Sequence, residues 1–224
     1  MAVTEPLALT GRRQRRSVRQ RLLGGGTAGN EQLTAVVAVI LLLLFAALGL
    51  TILQIGPLIW LHLFLGVLLV GPVALKIAST GYRFTRYYTA SREYRRKGPP
   101  HPLMRLLGPV VVLSTFGVFF SGLLLLIDGP KVNNLVRVAH KGTFIIWFGA
   151  VALHVLGHLA ELPSALKAVS QERGARRPLP GSSGRTLAVL LSLAAGAVLV
   201  VLFLPDFHPW SVAYGSGGIF SHGH

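Results

Sequence analysis

The sequence predicts an all-α integral membrane bundle of five transmembrane helices, and three observations predict it. Apolar residues make up 52% of the 224 and the mean hydropathy is +0.60, above the apolar share of an average soluble domain. They fall in five long runs, each near the 20 or so residues that a helix rising 1.5 Å per residue needs to cross about 30 Å of hydrocarbon. The 22 Lys and Arg, which bring the formal net charge to +15, lie mostly between those runs. Their charge therefore reads as membrane topology.

The first run, Leu33 to Leu53, is uncharged. The second, Pro57 to Leu75, is uncharged as far as Lys76, and only Gln54, Ile55 and Gly56 separate the two, which predicts a tight helical hairpin. The third, Leu106 to Ile127, is again uncharged. The fourth, about Leu135 to Ala160, differs in holding Arg137, Lys141 and three histidines. The fifth, Thr186 to Leu204, is rich in Ala, Val and Leu and reads as a featureless anchor. The organisation expected is a basic N-terminal segment (1–30), a four-helix membrane core (31–162), a basic loop (163–185), the fifth span (186–204) and a tail (205–224). Gly/Pro/Ser-rich stretches near Gly98 to Pro102 and Pro178 to Gly184 mark turns.

Orientation follows from the short connections, because Lys and Arg concentrate on the cytoplasmic side. The N-terminal segment holds Arg12, Arg13, Arg15, Arg16, Arg19 and Arg21. The second connection holds Arg83, Arg86, Arg92, Arg95, Arg96, Lys97 and Arg105, and the fourth holds Lys167, Arg173, Arg176, Arg177 and Arg185. With five spans these share one side, leaving Lys131, Arg137 and Lys141 near the other. The expectation is a multi-pass protein of the inner (plasma) membrane with its N-terminus cytoplasmic and its C-terminus outside. The first run is longer than a signal-peptide core and lacks an A-x-A-like cleavage site, so it reads as an uncleaved span.

With no cysteine, disulfides, iron–sulfur ligation and thiolate metal sites are excluded. There is no G-x-S-x-G, phosphate loop, H-E-x-x-H or intramembrane carboxylate pair, and the seven acidic residues lie in loops or at helix ends. Hydrolysis and proton-coupled transport lose ground. Glu161 at a helix end has no assigned role.

Function then falls to polar residues inside the spans, where an ionisable group is costly. His62 lies near the outer end of the second span and His140 near the outer end of the fourth, and these helices run in the same direction, so the two histidines are level. His154 follows His140 by fourteen positions and Lys76 follows His62 by fourteen. That is close to four turns, which places each pair on one helix face about 21 Å apart. Two level imidazoles on neighbouring helices can ligate the iron of a haem b set between them. Gly66, Gly142 and Gly157 permit close approach to a flat macrocycle, although glycine also serves ordinary helix packing.

Paired histidines fourteen apart on two membrane helices resemble the di-haem cytochrome b group. It includes the b-type subunits of nickel–iron hydrogenases and formate dehydrogenases, ferric-reductase-like domains and cytochrome b of quinol-oxidising complexes. The resemblance covers roughly Pro57 to Glu161. Within it, STGYRFTRYYTASREYRRKGPPHP and LVRVAHKGTFIIWFGAVALHVLGHLAE are similar to actinobacterial membrane proteins with cytochrome b-like domains. It implies a cytochrome b-like four-helix core, haem b as cofactor, and electron transfer between the quinone pool and a redox partner protein. His62 and His140 would hold an outer haem iron and His154 an inner one. The departure is Lys76, which stands where the pattern places a fourth ligand histidine. One haem is better supported than two.

Lys76 admits three readings: an axial amine opposite His154, a snorkelling residue at a cytoplasmic helix end, or a partner for a haem propionate or anionic lipid. Snorkelling is the ordinary expectation, and a neutral amine ligand requires desolvation. His154 and His158, one turn apart, can instead hydrogen-bond across helices. Tyr82, Phe84, Tyr87, Tyr88 and Tyr94 interleaved with arginine fit an interfacial belt contacting membrane lipid, or a docking face, better than a nucleic-acid surface. His208, Trp210, Tyr214, His222 and His224 near the C-terminus receive no site. The alternative function is a non-redox scaffold or small transporter whose histidines pack or bind a substrate.

Overall fold

The computed structural model describes residues 26–89, 102–159, 163, 167 and 181–215, with no strand among them. Five helices follow one another: α1 (Gly26–Leu53), α2 (Ile55–Tyr88), α3 (Pro102–Asp128), α4 (Asn134–His158) and α5 (Ser182–Gly215). All five are long and apolar enough to cross a membrane. Large apolar side chains stand exposed around the bundle, among them Leu53 at 78% and Leu135 at 72%. A surface of that kind is stable only in a solvent as apolar as itself, so these helices meet lipid.

Local chemistry sets the turns. Gln54 alone interrupts the helical course between α1 and α2, and Ile55 and Gly56 already belong to α2. Pro57 is tolerated there because first-turn amides need no helical acceptor. Gly129 closes α3 with φ +76°, its N–H bonding the Leu125 carbonyl at 3.1 Å, as a left-handed cap does. The Asn133 side chain opens α4 by accepting from Leu135 N at 2.9 Å.

Two helices outrun their apolar segments. α2, with 34 residues, is about 51 Å long and carries Tyr82, Arg83, Phe84 and Arg86 on its final turns rather than in a loop. α5 also has 34 residues and continues through Pro205 and Pro209 to Gly215. The part of the expected tail up to Gly215 is therefore helical, while His222 and His224 lie outside the described residues. So do the N-terminal arginines, Arg92, Tyr94, Arg95, Arg96, Lys97, Glu161, Arg173, Arg176 and Arg177.

The packing centres on α2, which lies between α1 and α5, while α3 and α4 form a second hairpin. Val37 and Leu41 of α1 pack with Leu69 and Val73 of α2. Near the other end, Ile59 of α2, Leu126 of α3 and Val200, Phe207 and Trp210 of α5 form a second core. Phe207 and Trp210, beyond the expected end of the fifth span, are buried, so the aromatic extension of α5 packs into one end of the bundle.

The α2/α5 seam is built on two glycines. A Cβ on Gly71 would overlap the Ser192 carbonyl, and one on Gly196 would overlap the Leu68 carbonyl. Leu68 is four residues before Pro72, which has no N–H to offer it, so the carbonyl freed by the proline faces the glycine notch. Small residues that let backbones meet are how membrane helices associate where hydrophobic driving force is absent.

Candidate functional site

His62 and His140 project from α2 and α4 into the same region and are near enough to interact electrostatically. Their helices make at most marginal backbone contact. The interval between the histidines is therefore bordered by side chains, and no tight helix seam closes it.

Each ring is held from one side. His62 Nδ1 lies 2.8 Å from Thr51 Oγ1, on the far side of the α1/α2 hairpin. His140 Nδ1 lies 3.0 Å from Ser121 Oγ on α3. A hydroxyl has a single hydrogen. Thr51 directs its hydrogen to the Leu48 carbonyl and Ser121 directs its own to the Gly117 carbonyl at 2.7 Å. With the hydroxyl hydrogens on those carbonyls, each oxygen accepts from the imidazole, and this assignment puts the proton on Nδ1 in both histidines. Both Nε2 atoms retain their lone pairs, the form in which imidazole binds a metal.

Thr51 and Ser121 are nearly fully buried, at 1% and 5% exposure, and neither stood out in the sequence. The available signal was depth: Ser121 and His140 lie about ten residues on either side of the α3/α4 turn, which brings them level. Thr51 sits closer to its turn than His62, and the backward lean of helical side chains closes the difference. Gly122 adds a fitted surface, since a Cβ there would come within 3.1 Å of His140 Cε1. Gly66 and Gly142 are half-buried, yet a Cβ on either would meet nothing within 4 Å.

Lys76 and His154 form a second pair toward the other end, also close enough for electrostatic interaction. Lys76 Nζ donates to the Thr34 carbonyl of α1 at 2.9 Å. Its partner in the structure is backbone, tied in with Thr34, Ser79 and Asn30. Among the described residues His154 has no cross-helix hydrogen bond and its Nδ1 is buried without a partner, while its ring meets that of His158 edge-on at 4.9 Å. Midway between the two levels on α4, Trp147 donates to Thr115 Oγ1 at 3.1 Å and packs edge-on against Phe45 of α1 at 4.8 Å. Trp147 follows His140 by seven residues, so α4 presents His140, Trp147 and His154 on one stripe.

Among the described residues no group of three or more His, Asp or Glu is arranged to hold a metal by itself. Two imidazoles suffice only where other atoms complete the coordination, as the four nitrogens of a porphyrin do. A shallow concavity of about 540 Å³, lined by Ser182, Ser183, Thr186, Leu187 and Leu190, lies at the start of α5 and includes none of the histidines. Comparison with protein-family models, with curated proteins and with solved structures gave no match.

Proposed function

We propose that this chain is a membrane-bound b-type cytochrome, an electron-transfer subunit that passes single electrons between the quinone pool and a redox partner protein. The observation that carries the reading is the matched pair of histidines on α2 and α4, each with Nδ1 engaged by a buried hydroxyl and Nε2 left as a donor. Haem b, when bound, supplies a one-electron iron couple in the membrane.

The residues of this chain fit that group. His62 and His140 offer two neutral nitrogens, and Thr51 and Ser121 orient them and raise their basicity by accepting the Nδ1 protons. Gly66, one turn along α2 from His62, leaves the space on that face open. Without cysteine there is no thioether attachment, so a bound haem is not of the c type. With Lys76 donating to Thr34, the second level offers one imidazole, and the reading is one haem rather than two.

The basic end of the bundle, with Arg83, Arg86 and Arg105, faces the cytoplasm of an inner (plasma) membrane by the positive-inside rule, which places the N-terminus in the cytoplasm. The exposed Tyr82, Phe84 and Tyr88 on the end of α2 then stand where a cytoplasmic redox partner or lipid headgroups are met.

The test is a dithionite-reduced minus oxidised spectrum with haem quantification on detergent-purified protein expressed with ample haem. A b-type spectrum at one haem per chain, lost in both His62→Ala and His140→Ala, is expected. A folded, colourless wild-type protein would overturn the cytochrome and leave the scaffold or transporter.

A further inference from the structure

The Lys76 end of the interval between α2 and α4 gathers donors and cations that the haem reading does not use. Lys76 sits where the uncharged run of α2 stops, at the depth at which hydrocarbon gives way to headgroups. Arg83, two turns further along α2, interacts with it electrostatically. Across the interval, His154 interacts with both Lys76 and His158, and its Nδ1 is buried without a hydrogen-bond partner among the described residues. Two helices that barely touch thus present four nitrogen-bearing side chains within about two turns of the same bundle end.

Little within the described residues answers that charge. The described acids are Glu31, Asp128 and Asp206. Asp128 ends α3 at the opposite end, Asp206 lies on the far extension of α5, and Glu31 stands 3.9 Å from Arg83. Among the described residues, the oxygen that accepts a hydrogen bond from Lys76 is the neutral Thr34 carbonyl. An anion rich in acceptor oxygens would answer a partly buried ammonium and accept from an imidazole N–H beside it, and basic pockets between membrane helices at the cytoplasmic side bind anionic lipid headgroups.

We propose that the α2/α4 interval at Lys76 binds a phosphate-bearing anion, the phosphodiester of an anionic membrane lipid, held by Lys76, Arg83, His154 and His158. The acyl chains of such a lipid would run along the apolar flanks of the two helices, and the phosphate would link α2 to α4 where the backbone does not. The site is separate from the His62 and His140 level and does not depend on haem being there.

The experiment is native mass spectrometry with thermal melting of the full-length protein in detergent, adding phosphatidylglycerol, phosphatidylcholine or inorganic phosphate, with haem content read on every sample. Phosphatidylglycerol is expected to remain bound and raise the melting temperature, while phosphatidylcholine and inorganic phosphate do neither. Lys76→Met should weaken phosphatidylglycerol binding about fivefold, the share of one cation near a membrane surface, and His154→Leu should weaken it about fivefold through the loss of one hydrogen bond. Arg86→Gln, which removes an exposed cation at the same end, should leave it unchanged. Equal loss in Arg86→Gln would overturn a defined site, and equal protection by inorganic phosphate would overturn the lipid as its source. Loss of a haem from Lys76→Met or His154→Leu with lipid retention intact would overturn the proposal and assign the level to a second haem. A variant that does not fold leaves the other two, and the lipid comparison on the unaltered protein, to decide it.

Discussion

The imidazole of His62 stands 2.8 Å from the hydroxyl of Thr51, a residue that is itself only 1% exposed and whose hydrogen is committed to the Leu48 carbonyl. The contact decides which ring nitrogen carries the proton and therefore which one is free to bind. Thr51→Val keeps the shape and removes the acceptor. It should cost about 1–3 kcal/mol in stability and lower haem affinity roughly 10- to 100-fold. The midpoint potential should rise by on the order of tens of millivolts as the ligand loses basicity. Haem titration and a redox titration check both effects, and unchanged affinity and potential would remove Thr51 from the site.

Ser121 makes the corresponding contact to His140 at 3.0 Å and is also 3.2 Å from Thr143 Oγ1. Ser121→Ala should weaken haem binding in the same direction as Thr51→Val. The double variant should lose nearly the product of the two effects, because each hydroxyl acts on a different ligand. Failure of the effects to combine would mean that the histidines do not share one group.

Gly71 and Gly196 admit no side chain without displacing backbone on the facing helix. Gly71→Val or Gly196→Val should therefore destabilise the fold by about 1–3 kcal/mol or more, as overpacking does. Gly49→Ala, where a Cβ would meet nothing within 4 Å, should be close to neutral. Melting temperatures in detergent distinguish them, and a neutral Gly196→Val would place α5 elsewhere.

The Trp147 indole donates to Thr115 in a buried contact at 3.1 Å. Trp147→Phe keeps the packing against Phe45 and leaves the Thr115 hydroxyl without that donor, which should cost about 1 kcal/mol. A small drop in melting temperature with unaltered haem content is the expected pair of readings. Loss of haem would show that Trp147 supports the His140 level as well.

A chain without cysteine offers a clean background for mapping sidedness. In right-side-out vesicles or intact cells, a membrane-impermeant thiol reagent should leave Arg86→Cys unlabelled until the membrane is opened, and should label Ser211→Cys directly. The reverse pattern would invert the orientation.

Composition and spacing alone determined that this protein crosses a membrane five times, because a hydrocarbon solvent demands helices about 20 residues long and nothing else in the chain satisfies that demand. The fourteen-residue intervals from His62 to Lys76 and from His140 to His154 were equally legible, since helical periodicity converts sequence distance into depth. What the spacing did not contain is which helices touch. That α5 joins α2 through Gly71 and Gly196, and that its extension buries Phe207 and Trp210, depends on surface fit between helices far apart in the chain. The same holds for Thr51 and Ser121. A hydroxyl in an apolar run reads as a tolerated polar residue until the neighbouring helix brings a histidine against it, so the tautomer, and with it the free nitrogen, was decided by tertiary structure.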